Sequence, residues 1–194
     1  MNQSKMWFVP GVGNRVGFFP ACWQGWISLF STIICVGITG AFVPRFIPAP
    51  YGSYTGVALI VAEFSLFAWL TRKHRVRVIY KVVSRYEWEI ARENYQGSEH
   101  DERDGFIHFS IAEQLMRTLN KHFAGQDDLV LVAVDIRRLN NYALKFETSP
   151  FYVLHSARNT FPHLYGPLPL SAVRWTKPIE QNKDGFVLPP DINA

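Results

Sequence analysis

Two long uncharged stretches, split by a proline-rich break, constrain the first third of this chain more than any other feature. Ile27–Val43 carries no charged residue, and extended back to Trp23 it reaches the ~20 residues a helix needs to span a bilayer. The following PRFIPAPYGS holds Pro44, Pro48, Pro50 and Gly52 and predicts the end of that helix. A second apolar run, Tyr54–Leu70, contains one charge, Glu63. The pattern predicts two transmembrane helices with a short turn between them. A cleaved signal peptide fits less well, because PRFIPAP and a second span follow where a small-residue cleavage site would stand.

Charge divides the chain near Leu70. Before it the only charged residues are Lys5, Arg15, Arg45 and Glu63; Arg72, Lys73, Arg75 and Arg77 follow at once and supply much of the net charge of +4. A basic cluster directly after an apolar run points to a membrane surface rather than to nucleic acid, whose binders spread basic groups over a folded face. By the distribution of basic residues, both termini are expected in the cytoplasm, with a two-pass membrane anchor. Trp23 and Trp26, Tyr51 and Tyr54, and Trp69 sit where interfacial aromatic belts belong. Gly37 with Ala41, and Ala58 with Ala62, have the spacing of close helix contacts. A carboxylate within a span is costly, so Glu63 is expected to face protein or water. Glu63, Trp23 and Trp26 are the candidate contacts to a membrane partner. Cys22 and Cys35 have no disulfide, redox or metal spacing.

The expected boundaries are an interfacial segment 1–22, spans at 23–43 and 54–70, a basic linker 72–77, an α+β domain over 78–189 and a tail 190–194. In that domain Val76–Val83 has strand composition, and Ser84 opens a Ser-x-x-Glu box that predicts a helix from Arg85 to about Asn94. Gln96–Gly105 reads as a charged loop. GFIHFS predicts a short strand with Ile107 and Phe109 on one face and Phe106, His108 and Ser110 on the other. Ser110 opens a second box, and Ile111, Leu115, Leu119 and Phe123 make the stripe of an amphipathic helix stopped by Gly125. Leu129–Ile136 predicts a strand buried on both faces, and Ala143–Glu147 an alternating one. Phe161–Leu170, FPHLYGPLPL, cannot be a helix and makes a poor central strand.

No Walker loop, dinucleotide fingerprint, G-x-S-x-G elbow or metal-spaced His/Cys set is present. The candidates are single residues. His108, on a strand with apolar residues on its other face, is a general acid or base or a donor to a ribose hydroxyl, or else a structural histidine. Glu147 is the second catalytic candidate, or a solvated strand carboxylate. Lys81, Ser110, His163 and Tyr165 are candidate ligand contacts, with Arg174 a further possible anion contact. Ser110 also reads as a helix cap and FPHLYG as a rigid corner. No metal site is expected.

Two resemblances add to this. Trp7, Phe8, Pro10 and the WQGW of Trp23–Trp26 resemble the start of a group of uncharacterised bacterial membrane proteins. IYKVV, DGFIHFS, HFAGQDDLVLVAVD, LKFE and FPHLYGPLPLSAV together resemble the bacterial domain of unknown function 952, over about residues 78–189. The resemblance implies an ADP-ribosyltransferase-like fold, a split and strongly bent pair of small antiparallel sheets with two helices around a cleft. GFIHFS also resembles the His-bearing strand of RNA 2′-phosphotransferases, which implies that His108 faces NAD or a related phosphate-bearing nucleotide. Phe146 stands where the family has Trp, Thr148 where it has Pro, and the segment before FPHLYG is longer and poorer in glycine. The functions implied are a membrane-anchored nucleotide-binding domain, with or without catalysis, or a non-catalytic accessory subunit of a larger respiratory or photosynthetic membrane complex.

Overall fold

The computed structural model describes residues 8–10, 18–20, 23–47, 49, 51–139, 143–148, 160–183 and 185–192. Lys5, Trp7, Arg15, Cys22, Pro48, Pro50 and the linking segment 149–159 with His155 lie outside the described residues. The chain divides into two units, Met1–Pro10 with Val16–Arg75, and Gly11–Arg15 with Val76–Ala194.

The first unit begins with a small hairpin, β1 (Phe8–Pro10) paired antiparallel to β2 (Phe18–Pro20). Two helices follow, α1 (Trp23–Phe46) and α2 (Tyr51–Lys73), both long and apolar enough to cross a membrane. At 24 and 23 residues each, they rise about 36 and 34 Å, against a hydrocarbon core of about 30 Å. Pro44 does not end α1; it lies inside the last turn, where a missing N–H costs one intrahelical bond. The turn comes after Phe46 and depends on Gly52, since a Cβ there would stand 2.0 Å from the Ile47 carbonyl oxygen.

The helix seam differs from the expected one. Gly37, Ala41, Ala58 and Ala62 are exposed, and nothing approaches a Cβ position on Gly37. The inward positions are Gly25, Ser28, Thr32, Val36, Thr39 and Val43 on α1, and Gly52, Gly56, Ile60, Glu63 and Phe67 on α2. Steps of three and four residues keep such a stripe on one face. Small residues admit close approach, as where Gly56 lies under Val43.

The second unit is a mixed α+β domain of small antiparallel sheets. Its first sheet has the order β10–β6–β3, formed by Val173–Pro178, Leu129–Asp135 and Val78–Ser84. Every residue of β6 is buried, as its unbroken apolar run predicts. One face, with Tyr80, Val82, Leu129, Leu131 and Ala133, packs on Leu115 and Leu119 of α5 (Leu115–His122). The second sheet has the order β5–β8–β7, formed by Ile107–His108, Thr160–Leu164 and Leu144–Thr148. The sheets meet at one rung, where Tyr80 and Ser110 exchange two backbone hydrogen bonds of 2.8 Å. Short pairs β4–β9 (Asn94–Tyr95, Leu168–Pro169) and β11–β12 (Glu180–Asn182, Gly185–Val187) complete the unit.

Three local expectations are corrected. The helix after Ser84, α3 (Arg85–Glu89), is one turn long; Ser84 Oγ accepts from Glu87 N at 3.2 Å, but it also donates to Glu87 Oε2 at 3.0 Å, so only the cap half of the expected box forms. Gln96–Gly105 is not all loop; it contains α4 (Glu99–Asp104). FPHL is the middle strand of the second sheet despite Pro162. In an antiparallel strand the N–H and C=O of one residue point the same way. The Pro162 carbonyl accepts from Phe109 N at 2.9 Å, so its missing donor falls on the side of β5, which has only two residues. One lost rung there leaves the β8–β7 ladder intact.

Candidate functional site

The corner between α4 and β5 organises the chemistry of the domain. Ser98 caps α4: its Oγ accepts from Asp101 N at 3.3 Å, while Asp101 Oδ2 accepts from Ser98 N at 2.9 Å. Gly105, at φ 80°, ends the helix in the left-handed conformation that a Cβ disfavours, and its N–H returns to the Asp101 carbonyl at 2.9 Å. The chain then enters β5 with His108 facing Asp101.

Asp101 is the centre of this corner. Its Oδ1 accepts from His108 N at 3.0 Å and faces His108 Nδ1 at 2.8 Å. Its Oδ2 accepts from Lys81 Nζ at 2.5 Å and from Ser98 Oγ at 2.9 Å, and the side chain is 1% exposed. Burial pushes the carboxyl pKa up, but the His108 hydrogen bonds and the Lys81 charge outweigh it and hold it well below the usual range. Burial lowers the pKa of Lys81, and the adjacent carboxylate opposes that shift. Because Asp101 only accepts, His108 Nδ1 carries the hydrogen between them, and Nε2 is the nitrogen left for other work.

A cavity of about 360 Å³ lies beside this corner. Lys81, Asp101, His108, Ser110 and His122 line it together with Val82, Phe109, Phe123 and Phe161. Tyr80 directs its N–H and C=O to Ser110, so alternation along β3 turns those of Val82 to the same edge, toward the cavity. Ser110 does not cap a helix. A 3-10 turn, Ala112–Gln114, precedes α5, and Gln114 Oε1 takes Ile111 N at 2.9 Å. Ser110 Oγ is 3.0 Å from Thr118 Oγ1, and its backbone forms the rung between the sheets.

Glu147, His163 and Tyr165 form a second network that does not line this cavity. Glu147 Oε2 lies 2.8 Å from His163 Nδ1 and accepts from the Tyr165 hydroxyl at 2.9 Å. Lys145 Nζ stands 3.9 Å from the Tyr165 ring centroid. Burial lowers the His163 pKa against the pull of Glu147. Burial raises that of Glu147, but hydrogen bonds from His163 and Tyr165 bring it below normal. Phe106 joins the two groups: its ring centroid is 4.2 Å from His163, 4.7 Å from His108 and 5.2 Å from Tyr165. His108 and His163 are register partners on β5 and β8.

Arg174 does not line the cavity; its Nε lies 3.6 Å from Asp135. On the hairpin, Thr39 Oγ1 donates to Glu63 Oε1 at 2.9 Å, while Glu63 Oε2 and Ser28 Oγ are buried without a partner. Both residues line a groove with Gln24, Ser31, Thr32 and Cys35; Trp23 and Trp26 are exposed at 67% and 47%.

The residues that sequence reasoning missed are Asp101 and Phe106. The signal for Asp101 was Ser98-x-x-Asp101 with Gly105 after it, a one-turn capped helix hidden in a charged stretch.

The family model described as Protein of unknown function (DUF952) matches residues 82–176. The chain is similar to the crystal structure of protein CC0527 from Caulobacter crescentus, at 40% identity over 56% of this chain and 91% of that one, with a TM-score of 0.50. A crystal structure of a double mutant of CC0527 gives the same identity, coverage and TM-score. Among curated proteins none matches.

Proposed function

This chain belongs to the DUF952 family of proteins of unknown function, and we propose that its C-terminal domain binds a nucleotide, NAD or a relative, in the cavity beside His108. The observation that carries the reading is a histidine at the cavity wall whose Nδ1 is fixed by a buried carboxylate, with its Nε2 no nearer than 3.4 Å to the exposed Asp104. Phe109, Phe123 and Phe161 offer faces for a flat heterocycle, and the Val82 edge offers a backbone donor and acceptor. Lys81 and the histidines supply donors for ribose or phosphate oxygens. The single-rung junction of two small sheets is what an ADP-ribosyltransferase-like fold would need to frame such a cleft. Glu147, His163 and Tyr165 then act on whatever part of the ligand extends past Phe106. His108 is the proposed general acid or base and Glu147 the second catalytic candidate. The two long helices are proposed as an inner-membrane anchor that keeps the domain and both termini in the cytoplasm.

The test is thermal unfolding of the full chain in mild detergent with NAD, ADP-ribose or AMP. At a hundredfold excess over Kd a ligand adds about 2.7 kcal/mol of stability, which raises Tm by several degrees. The rise should vanish in His108→Ala. If no nucleotide moves Tm, the reading fails.

A second reading, an accessory subunit docked on a larger membrane complex through the hairpin, is favoured by the unpartnered oxygens of Glu63 and Ser28 in one groove. Native purification that yields a stoichiometric large partner, lost in Glu63→Leu, would support it; a monodisperse single chain would refute it.

A further inference from the structure

We propose that His100, Asp104 and His108 form a binding site for a zinc-class divalent cation. This goes beyond the nucleotide reading and does not depend on it. The three residues come from two elements. His100 and Asp104 are one turn apart on α4, at the i and i+4 positions that place side chains on one helix face, and His108 arrives from β5. Their ligand atoms all lie within 4.8 Å of one another.

The geometry converges on one oxygen. Asp104 Oδ2 is 3.4 Å from His108 Nε2 and 3.6 Å from His100 Nε2. Ligands about 2.0–2.1 Å from a tetrahedral ion stand about 3.3–3.4 Å apart, so two edges of the coordination polyhedron are almost formed. The third, between the imidazoles, needs to close by at most about 1.5 Å to reach that edge, and the rings, now stacked at 5.0 Å and 14°, must turn so that both lone pairs meet the ion. His100 is exposed and can make that adjustment by side-chain rotation. Two imidazoles and a carboxylate suit zinc-like ions rather than calcium or magnesium, which prefer all-oxygen shells.

The surroundings of His108 strengthen the assignment. A ligating imidazole generally donates its other N–H to a carboxylate that fixes the tautomer and orients the ring. Asp101 does this here, at 2.8 Å from Nδ1, and is itself held by Lys81 and the capping box. With the hydrogen on Nδ1, the lone pair is on His108 Nε2, 3.4 Å from Asp104 Oδ2, and a cation between the two would accept from both. Three protein ligands leave a coordination position open, and His100 and His108 both also line the cavity.

One neighbour opposes the ion. Arg103 Nη2 lies 2.6 Å from His100 Nδ1, and its Nε is 3.9 Å from Asp104. A guanidinium can only donate, so this contact makes Nδ1 the acceptor and puts the hydrogen on Nε2. Cation binding at Nε2 must displace Arg103, an exposed side chain.

The experiment is calorimetric titration of Zn²⁺ into the tag-free, chelator-treated full chain, paralleled by Co²⁺ absorption spectra. We expect one equivalent per chain in the micromolar range and the visible bands of low-coordinate cobalt. His100→Ala and Asp104→Asn should each weaken binding by about tenfold or more, the order seen for losses around a metal site. Both residues are exposed, so these variants are expected to fold, which far-UV circular dichroism checks. Arg103→Ala should strengthen binding several-fold, an effect that a merely structural role for the cluster would not give. The proposal is overturned if no saturable micromolar binding occurs. Binding that survives unchanged in the His100→Ala/Asp104→Asn double variant, or that weakens in Arg103→Ala, overturns it equally.

Discussion

Asp101→Asn is the substitution that most directly probes the arrangement around His108. The carboxylate accepts five hydrogen bonds, one from Lys81, two from Ser98 and two from His108, at 1% side-chain exposure. An amide keeps the shape but removes the charge, and its nitrogen turns a donor toward donors. Lys81 Nζ would then be a buried ammonium without its counter-charge. Removing one partner of a buried pair costs about 3–5 kcal/mol. For a domain of this size that corresponds to a fall in Tm of about 10–20 °C. Lys81→Met should cost less, about 1–3 kcal/mol, because the carboxylate keeps four donors. The double variant should then lose about 1–3 kcal/mol less than the sum of the two single losses. Hydrogen exchange at the amides of β3 and β6 reads the stability of this domain separately from that of the apolar helices. The reasoning is refuted if Lys81→Met proves as costly as Asp101→Asn, or if Asp101→Asn costs less than about 1 kcal/mol.

Acidification should destabilise the domain through His163 and Glu147. The folded pKa of His163 is depressed by burial, so the unfolded chain takes up a proton first as pH falls; that stability is complete above about 6.5 and is lost below it. Glu147, also depressed, adds a loss in the carboxylate range. Tm measured against pH should therefore decline below 6.5, and His163→Gln should flatten the upper part of that decline; an unchanged curve would contradict this assignment. In the hairpin, Gly52→Ala should disrupt the turn, where its Cβ would meet the Ile47 carbonyl oxygen at 2.0 Å, while Gly37→Ala should be silent. Exchange protection in the first turns of α2 distinguishes them, and equal behaviour would show that the turn does not depend on Gly52.

What could be read from sequence follows the range of the interactions involved. The apolar runs, the buried strand β6 and the Ile111–Leu115–Leu119 stripe were legible because periodicity and length are local properties. Alternation likewise marked Ile107 and Phe109 as buried, although Phe109 shares the cavity wall with His108. Asp101 was not legible, since its weight comes from Lys81, twenty residues away in the chain and on strand β3. Its own neighbourhood, SEHDERDG, looks like solvated charge. Pro162 misled in the other direction: proline disfavours a central strand in general, and only the two-residue length of β5 makes it tolerable here. The helix seam was misassigned because small residues occur on several faces, and spacing alone does not say which face meets the partner. Glu147, His163 and Tyr165 are each legible as polar residues on extended segments, but their separation from the cavity depends on where Phe106 sits.

The lone rung between Tyr80 and Ser110 has a mechanical consequence. A continuous six-stranded sheet would fix the angle between its halves through many parallel bonds. Among the described residues the backbone link is one pair of hydrogen bonds, and the Lys81–Asp101 tie a residue further along β3 adds a side-chain restraint. A junction this narrow is expected to act as a hinge, with the ion pair as its latch. An occupant of the space between Val82 on one leaf and Phe161 on the other would then bear on the angle at which the leaves rest.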